Sequence, residues 1–232
     1  PTVMTKLSLF ICCCTILLFS CAQTEKSKFD IAVSFDENVS PENKDGRLLL
    51  MLSTDDSKEP RFQINDGLNT QLIFGMNVDN MAPGTSITFD ESIFGYPYPS
   101  LKDIPPGEYN VQALLHVYET FNLSTGHTVK LPMDNGEGQH WNTSPGNLYS
   151  TPFKITVGEN GIDNVSATLD QVIPPIPEPE DTEWIKHIKI KSEKLSEFYG
   201  RDMYLGAHVL LPKGFEEHPE AKYPLMVFHG HF

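Results

Sequence analysis

The chain has 232 residues, with 17 Lys plus Arg against 31 Asp plus Glu and a formal net charge of −14. This acidic balance argues against nucleic acid as a partner and against peripheral binding to anionic lipid. All four cysteines lie within the first 21 residues. We therefore expect no disulfide framework and no cysteine-based metal site in the remainder. No cofactor is expected either.

The first residues have the features of an export signal. Met4 is the first methionine, Lys6 follows it, and an apolar run extends from Leu7 to Phe19 before Ser20. A positive start, about a dozen apolar residues and a small-residue cleavage point define such signals. The run is too short to cross a bilayer comfortably as a helix. We expect translation to begin at Met4 and residues 1–20 to be the signal peptide.

Leu18-Phe19-Ser20-Cys21 resembles the bacterial lipobox. The resemblance implies that the Cys21 thiol receives a diacylglycerol, that cleavage precedes Cys21 and that the new amino terminus is acylated. Residues 21–28 would then be a lipidated tether, and the membrane would be a partner through the lipid on Cys21. The implied location is the bacterial cell envelope, on the periplasmic or outer-surface side. The alternative is an ordinary signal peptide with a coincidental cysteine.

Residues 29–172 have the pattern of a β domain. Apolar and polar residues alternate over Ile31–Phe35, and the dense apolar run Gly46–Leu52 predicts a strand buried on both faces. Over Glu108–Thr120, alternate residues from Tyr109 to Val117 share one face. Further strands are predicted at 71–76, 86–89, 127–131, 151–157 and 165–172. Short strands at regular spacing predict a mainly β fold, an immunoglobulin-like two-sheet sandwich.

The segment Pro-Pro-Gly-Glu-Tyr-Asn-Val-Gln-Ala, residues 105–113, resembles the turn and strand of immunoglobulin-like modules. In those modules a tyrosine packs near the start of the strand. The resemblance implies that role for Tyr109.

Residues 173–183, rich in proline and acid, predict an extended linker and the domain boundary. Beyond it, strands are predicted at 184–191, 204–211 and 223–228, with a helical turn or loop at 192–199. The apolar composition of the last predicted strand indicates that it is buried, yet only four residues follow it. We therefore expect residues 184–232 to be the truncated start of a second domain.

Three successive segments resemble the opening of α/β-hydrolase esterases, especially the enterochelin-esterase-like enzymes. They are Leu210–Phe215, Tyr223–Phe228 and the final His229-Gly230-His231-Phe232. The resemblance implies that these last four residues form the oxyanion loop, whose backbone N–H groups stabilise the charge that develops on the reacting carbonyl. A glycine there lets the backbone approach the substrate closely.

The nucleophile of such an enzyme is missing, because the chain contains no Gly-x-Ser-x-Gly sequence. The acid and the histidine base follow the nucleophile in the family's chain order, so they are expected to be missing as well. We expect an inactive amino-terminal fragment of an exported, lipid-anchored serine esterase acting on a small-molecule ester. The alternative is a non-catalytic cell-surface module that binds a glycan, a peptide or a partner protein through its β-sandwich.

Two other groups of residues are candidate sites. His229 and His231 could ligate a metal, but nothing nearby has ligand character, which favours a structural or oxyanion turn. The polar loop Met133–Gly146 carries Asp134, Glu137, His140 and Trp141. It could bind calcium or a sugar ring, whereas its composition favours a surface loop anchored by the tryptophan. His116, on the clearest strand, is expected to be a partly buried sheet residue.

Overall fold

A computed structural model describes residues 29–162 and 165–229, and these form two compact units. The first unit comprises the described residues up to Met133 together with Gln139–Ile173. The second comprises Asp134–Gly138 and the described residues from Pro174 onward. The described chain is mainly β, as the sequence predicts.

Short strands and two 3-10 turns, at Pro60–Phe62 and Leu101–Asp103, make up the first unit. Its strands are β1 (Ile31–Ser34), β2 (Lys44–Ser53), β3 (Leu72–Met81), β4 (Ile87–Phe89), β5 (Gly95–Tyr96), β6 (Gly107–Val117), β7 (Glu119–Asn122), β8 (Thr128–Leu131), β9 (Leu148–Tyr149), β10 (Phe153–Gly158), β11 (Gly161–Ile162), β12 (Val165–Thr168) and β13 (Gln171–Val172).

The strands of the first unit form a large sheet, a small sheet and a separate hairpin. The large sheet has the order β11-β10-β6-β2-β3-β5, and β9 pairs with both β6 and β13. The small sheet has the order β12-β1-β4, in which β1 and β12 are parallel. Strands β7 and β8 pair only with each other within the described chain.

Strand β2 is buried on both faces, which confirms the prediction from its dense apolar run. Leu48, Leu50 and Leu52 lie in the main hydrophobic core. Leu49 and Met51 point the other way into a second cluster. From Leu48 to Leu52 neither face of the strand meets water, because each face packs in one of these clusters.

The main core joins the two sheets of the first unit. Ile31 and Val33 of β1 and Phe89 of β4 pack in one cluster with Val111 and Leu115 of β6. Inward-facing residues of both sheets are therefore desolvated together, and apolar burial of this kind is the principal stabilising term in folding.

Some predicted strand limits are wrong. The strand predicted over 108–120 ends at Val117, where the Tyr118 N–H donates to the Asp45 carbonyl oxygen at 2.9 Å before β7 begins. The strand predicted over 165–172 is broken between β12 and β13. Asp170 there accepts hydrogen bonds from the Thr151 N–H and hydroxyl.

The second unit contains an antiparallel pair, β14 (Ile185–Lys191) and β15 (Tyr204–Leu210), with helix α1 (Glu193–Tyr199) between them. The Ser192 side chain caps α1 by accepting from the Leu195 N–H, and Gly200 ends the helix in the left-handed conformation. Both strands and the helical turn confirm the sequence prediction.

The strand predicted over 223–228 is absent. No described residue pairs with it, and a strand requires a neighbour to satisfy its backbone hydrogen bonds. Leu225, Met226, Val227 and Phe228 are 80–89% exposed.

Candidate functional site

The residues predicted to form the oxyanion loop lie at the limit of the described chain. His229 is exposed. Gly230, His231 and Phe232 lie outside the described residues, as does the predicted lipidation site Cys21.

The segment that leads to this loop is folded back by a specific turn. The Phe215 N–H donates to the Pro212 carbonyl oxygen at 3.2 Å, and Gly214 has a φ of 74°, the left-handed conformation that glycine adopts without steric cost. The Phe215 and Tyr223 rings lie 5.4 Å apart between centroids. This contact brings Tyr223, which precedes the apolar run, back to the turn that ends at Phe215.

One face of the β14–β15 hairpin is apolar and open to solvent. Ile188, Ile190 and Leu205 lie on it and are 41%, 58% and 56% exposed. The second unit therefore presents two apolar surfaces, this hairpin face and the run Leu225–Phe228.

The opposite face of the hairpin is polar and carries two histidines. His187 and His208 are paired directly across the strands, and their rings lie 4.8 Å apart at 88°. Asp181 Oδ1 accepts the His187 backbone N–H at 2.8 Å and lies 3.2 Å from the ring Nδ1 of His187. The backbone N–H is the main cause of a lowered pKa of the Asp181 carboxyl.

Ion pairs flank the two histidines. Lys189 Nζ lies 2.7 Å from Glu178 Oε1, and Lys191 Nζ lies 2.6 Å from Asp202 Oδ1. Each hydrogen bond raises the pKa of its lysine and lowers the pKa of its carboxyl. Acidic residues of the segment predicted as a linker, Glu178 and Asp181, thus contact β14.

The anchoring role predicted for Trp141 is confirmed. Its ring packs on the cluster formed by Leu49, Met51, Leu114 and Ile173. Its carbonyl oxygen accepts from Asn147 Nδ2 at 2.8 Å.

Backbone N–H groups of the loop bond to one oxygen of each of the two acids predicted as possible calcium ligands, and Glu137 Oε1 is buried with no hydrogen-bond partner among the described residues. Asp134 Oδ1 accepts from the Gly136 N–H at 2.8 Å, and Glu137 Oε2 accepts from the Asn135 N–H at 2.7 Å. His140 is exposed. The bonds to the Gly136 and Asn135 N–H groups are those of a turn stabilised by its own acidic side chains.

His116 is half-buried, and its ring meets the edge of Tyr118 at 5.4 Å. The prediction of a partly buried sheet residue is confirmed.

A buried polar network in the first unit was not predicted. Gln112 is fully buried, donating to Glu59 Oε2 at 2.8 Å and to the Ser150 carbonyl oxygen at 3.0 Å, and accepting from the Arg61 N–H at 3.1 Å. The Arg61 guanidinium lies 4.1 Å above the Tyr149 ring. The partners are far apart in sequence, so only the fold reveals them. The network holds the Pro60–Phe62 turn against the sheet.

Within residues 29–162 and 165–229, no group of three or more His, Cys, Asp or Glu side chains is arranged to hold a metal. Among the same residues, no helix has the length and apolar character needed to cross a membrane. Comparison of the chain with protein-family models, curated proteins and solved structures gives no match in any of the three.

Proposed function

We propose that this chain is the amino-terminal part of an exported, lipid-anchored serine esterase. Cys21 carries the lipid, an immunoglobulin-like sandwich follows, and residues 184–232 supply the first strands of an α/β-hydrolase domain.

The observation that carries this proposal is the exposure of the apolar run Leu225–Phe228. Every residue in it is apolar, as in a strand covered on both faces of a parallel sheet. Full burial of such side chains stabilises by about 1.5–3 kcal/mol each, so four exposed ones forgo about 6–12 kcal/mol. That amount is comparable to the whole stability of a typical domain. Further strands and helices that cover the run would recover it.

The turn before the run supports the same proposal. The sequence Leu-Pro-Lys-Gly-Phe is one of the segments in which this chain resembles esterases. The ring of its last residue, Phe215, contacts Tyr223, which begins the second segment, Tyr-Pro-Leu-Met-Val-Phe. Two separate parts of the motif are therefore adjacent. The hairpin face formed by Ile188, Ile190 and Leu205 offers additional apolar surface for a covering layer.

The loop His229-Gly230-His231-Phe232 would act through its backbone. In ester hydrolysis a serine oxygen attacks the carbonyl carbon, the alcohol leaves, and water then releases the acid from the acyl-enzyme. Backbone N–H groups at the loop would stabilise the negative charge on the carbonyl oxygen in both steps. The serine, acid and histidine of the triad would follow Phe232 in the full-length protein.

The immunoglobulin-like assignment of the first unit rests on its two sheets with one shared core and on Tyr109. The Tyr109 hydroxyl donates to the Pro105 carbonyl oxygen at 2.9 Å. A tyrosine near a strand start that bonds to the backbone a few residues upstream is a feature of such sandwiches. In this proposal the sandwich separates the catalytic domain from the membrane.

The proposal is tested with the full-length gene product and a fluorophosphonate probe, which labels activated serines. We expect one labelled serine beyond Phe232, within Gly-x-Ser-x-Gly, and hydrolysis of p-nitrophenyl esters that its replacement by alanine abolishes. Gly230→Val keeps the backbone N–H but places a bulky side chain where the backbone must approach the substrate, so kcat should fall by about a hundredfold, as when one oxyanion donor is lost. Gly206→Ala is the matched control, since an added Cβ there meets nothing within 4 Å.

A full-length product with no labelled serine and no ester hydrolysis would overturn the esterase proposal. The anchor is tested separately by metabolic labelling with a fatty acid, which Cys21→Ala should abolish. Labelling that survives this substitution would contradict the lipid assignment.

A further inference from the structure

We propose that His187 and His208 form a binding site for a divalent transition-metal ion of the zinc class. The site lies on the polar face of the β14–β15 hairpin and is independent of the proposed esterase reaction.

The spacing of the two rings fits a shared ion. His187 and His208 are directly opposite in the strand register, with ring centroids 4.8 Å apart. Two imidazoles that bind one zinc ion through nitrogen, at about 2.0–2.1 Å and a tetrahedral angle, have centroids about 5 Å apart. The two strands therefore hold the rings at a chelating separation before any ion arrives.

Asp181 prepares His187 for this role. A carboxylate can only accept a hydrogen bond, so the 3.2 Å contact with Asp181 Oδ1 places the imidazole proton on Nδ1. In the neutral imidazole Nε2 is then the nitrogen available to a metal. A carboxylate behind a ligating histidine is the usual means of fixing its tautomer and orientation. Asp181 also holds the His187 backbone N–H, which ties the carboxylate to the strand.

The surroundings leave the approach to the pair open. Gly206 lies next to His208 on the same face, and nothing lies within 4 Å of where its Cβ would be. The neighbouring ammonium groups of Lys189 and Lys191 are paired with Glu178 and Asp202. Imidazole nitrogen is a preferred ligand for zinc, copper and nickel, and water would complete the coordination.

The test uses Zn²⁺ as the probe and the purified chain as the protein. Calorimetric titration should give one site, and long-range 1H–15N spectra should show Zn²⁺ shifting the imidazole nitrogens of His187 and His208. His187→Gln and His208→Gln should each weaken binding by at least about tenfold, and Asp181→Asn by about ten- to a hundredfold. Asp181→Asn should also change the His187 tautomer in the metal-free spectrum.

Two controls separate this site from other histidines. His127→Gln removes an exposed ring on the first unit, and the double variant His229→Gln, His231→Gln removes the pair next to the apolar run. Both should keep the affinity of the original chain. Unchanged binding in His187→Gln and His208→Gln, or zinc-induced shifts confined to other histidines, would overturn the proposal. The spectra of the unaltered chain give this answer even if a variant fails to fold.

Discussion

The phenolic hydroxyl of Tyr109 donates a 2.9 Å hydrogen bond to the carbonyl oxygen of Pro105, four residues earlier. The Tyr109 ring is buried in the main core, so the bond joins the turn before β6 to the interior of the first unit. Burial also raises the pKa of the Tyr109 hydroxyl, which keeps it protonated as a donor.

Removing this hydroxyl should destabilise the first unit. Tyr109→Phe is expected to lower the free energy of unfolding by about 0.5–1.5 kcal/mol, the usual net value of one hydrogen bond. Urea unfolding is followed by Trp141 fluorescence in a Trp184→Phe background, because the chain has two tryptophans. Tyr96→Phe, at a 53% exposed ring, is the control. Equal stability of the two variants would contradict a role for the Tyr109 bond.

Loss of the Gln112 network should destabilise the first unit more than loss of the Tyr109 hydrogen bond. Gln112→Leu removes three hydrogen bonds and leaves the Ser150 carbonyl, the Arg61 N–H and part of the Glu59 carboxylate without their partner. We expect a loss of about 2–5 kcal/mol in the same unfolding assay, because buried polar groups left unpaired are costly. Gln71→Leu, which loses only one bond from the Thr54 N–H at the surface, should cost far less. Comparable losses would contradict the network.

Gly46 lies where the register of β2 and β3 shifts, and the backbone carbonyl oxygen of His116 occupies the space of its missing Cβ. Gly46→Ala should therefore force β2 and β6 apart and cost about 1–3 kcal/mol, as overpacking does. Gly107→Ala is the control, since its added Cβ would lie 3.8 Å from the nearest atom. A Gly46→Ala variant as stable as this control would contradict the close approach.

Acid should weaken the first unit partly through Asp45. The Lys130 ammonium and the Asn80 N–H, both hydrogen-bonded to Oδ1, lower the pKa of the Asp45 carboxyl. Because the folded pKa lies below the unfolded one, the stabilisation is present above about pH 3.9 and disappears as the pH falls through the folded value.

In Asp45→Asn the free energy of unfolding should therefore fall less steeply than in the original chain as the pH decreases below 5. The urea midpoint at each pH measures this dependence. Asp66→Asn, in an exposed turn, is the control. An acid dependence that is identical in Asp45→Asn and the original chain would contradict the linkage.

The strands with strong patterns were predictable from the sequence, and the features that depend on register were not. The dense apolar run of β2 and the alternation from Tyr109 to Val117 predict directly which side chains are buried. The two-residue strands β5 and β9 have no such pattern, because their pairing is fixed by neighbouring strands in the large sheet. The pairing of His187 with His208 was likewise not predictable, because it depends on the hairpin register.

The run Leu225–Phe228 has a strong strand pattern but does not form a strand in the described chain. Its apolar composition predicts a buried strand, yet its backbone has no pairing partner within the described chain. Local sequence fixes what these side chains prefer, whereas a strand needs a neighbouring strand to satisfy its hydrogen bonds. The proposal of a hydrolase sheet supplies that neighbour.

Amide hydrogen exchange at Leu225–Phe228 in the full-length gene product shows whether this run belongs to a covered sheet. A run built into a covered sheet should be protected to the same degree as Leu48–Leu52 of β2, because both would be paired and desolvated. Exchange at Leu225–Phe228 as fast as at an exposed loop, while Leu48–Leu52 stays protected, would contradict the account.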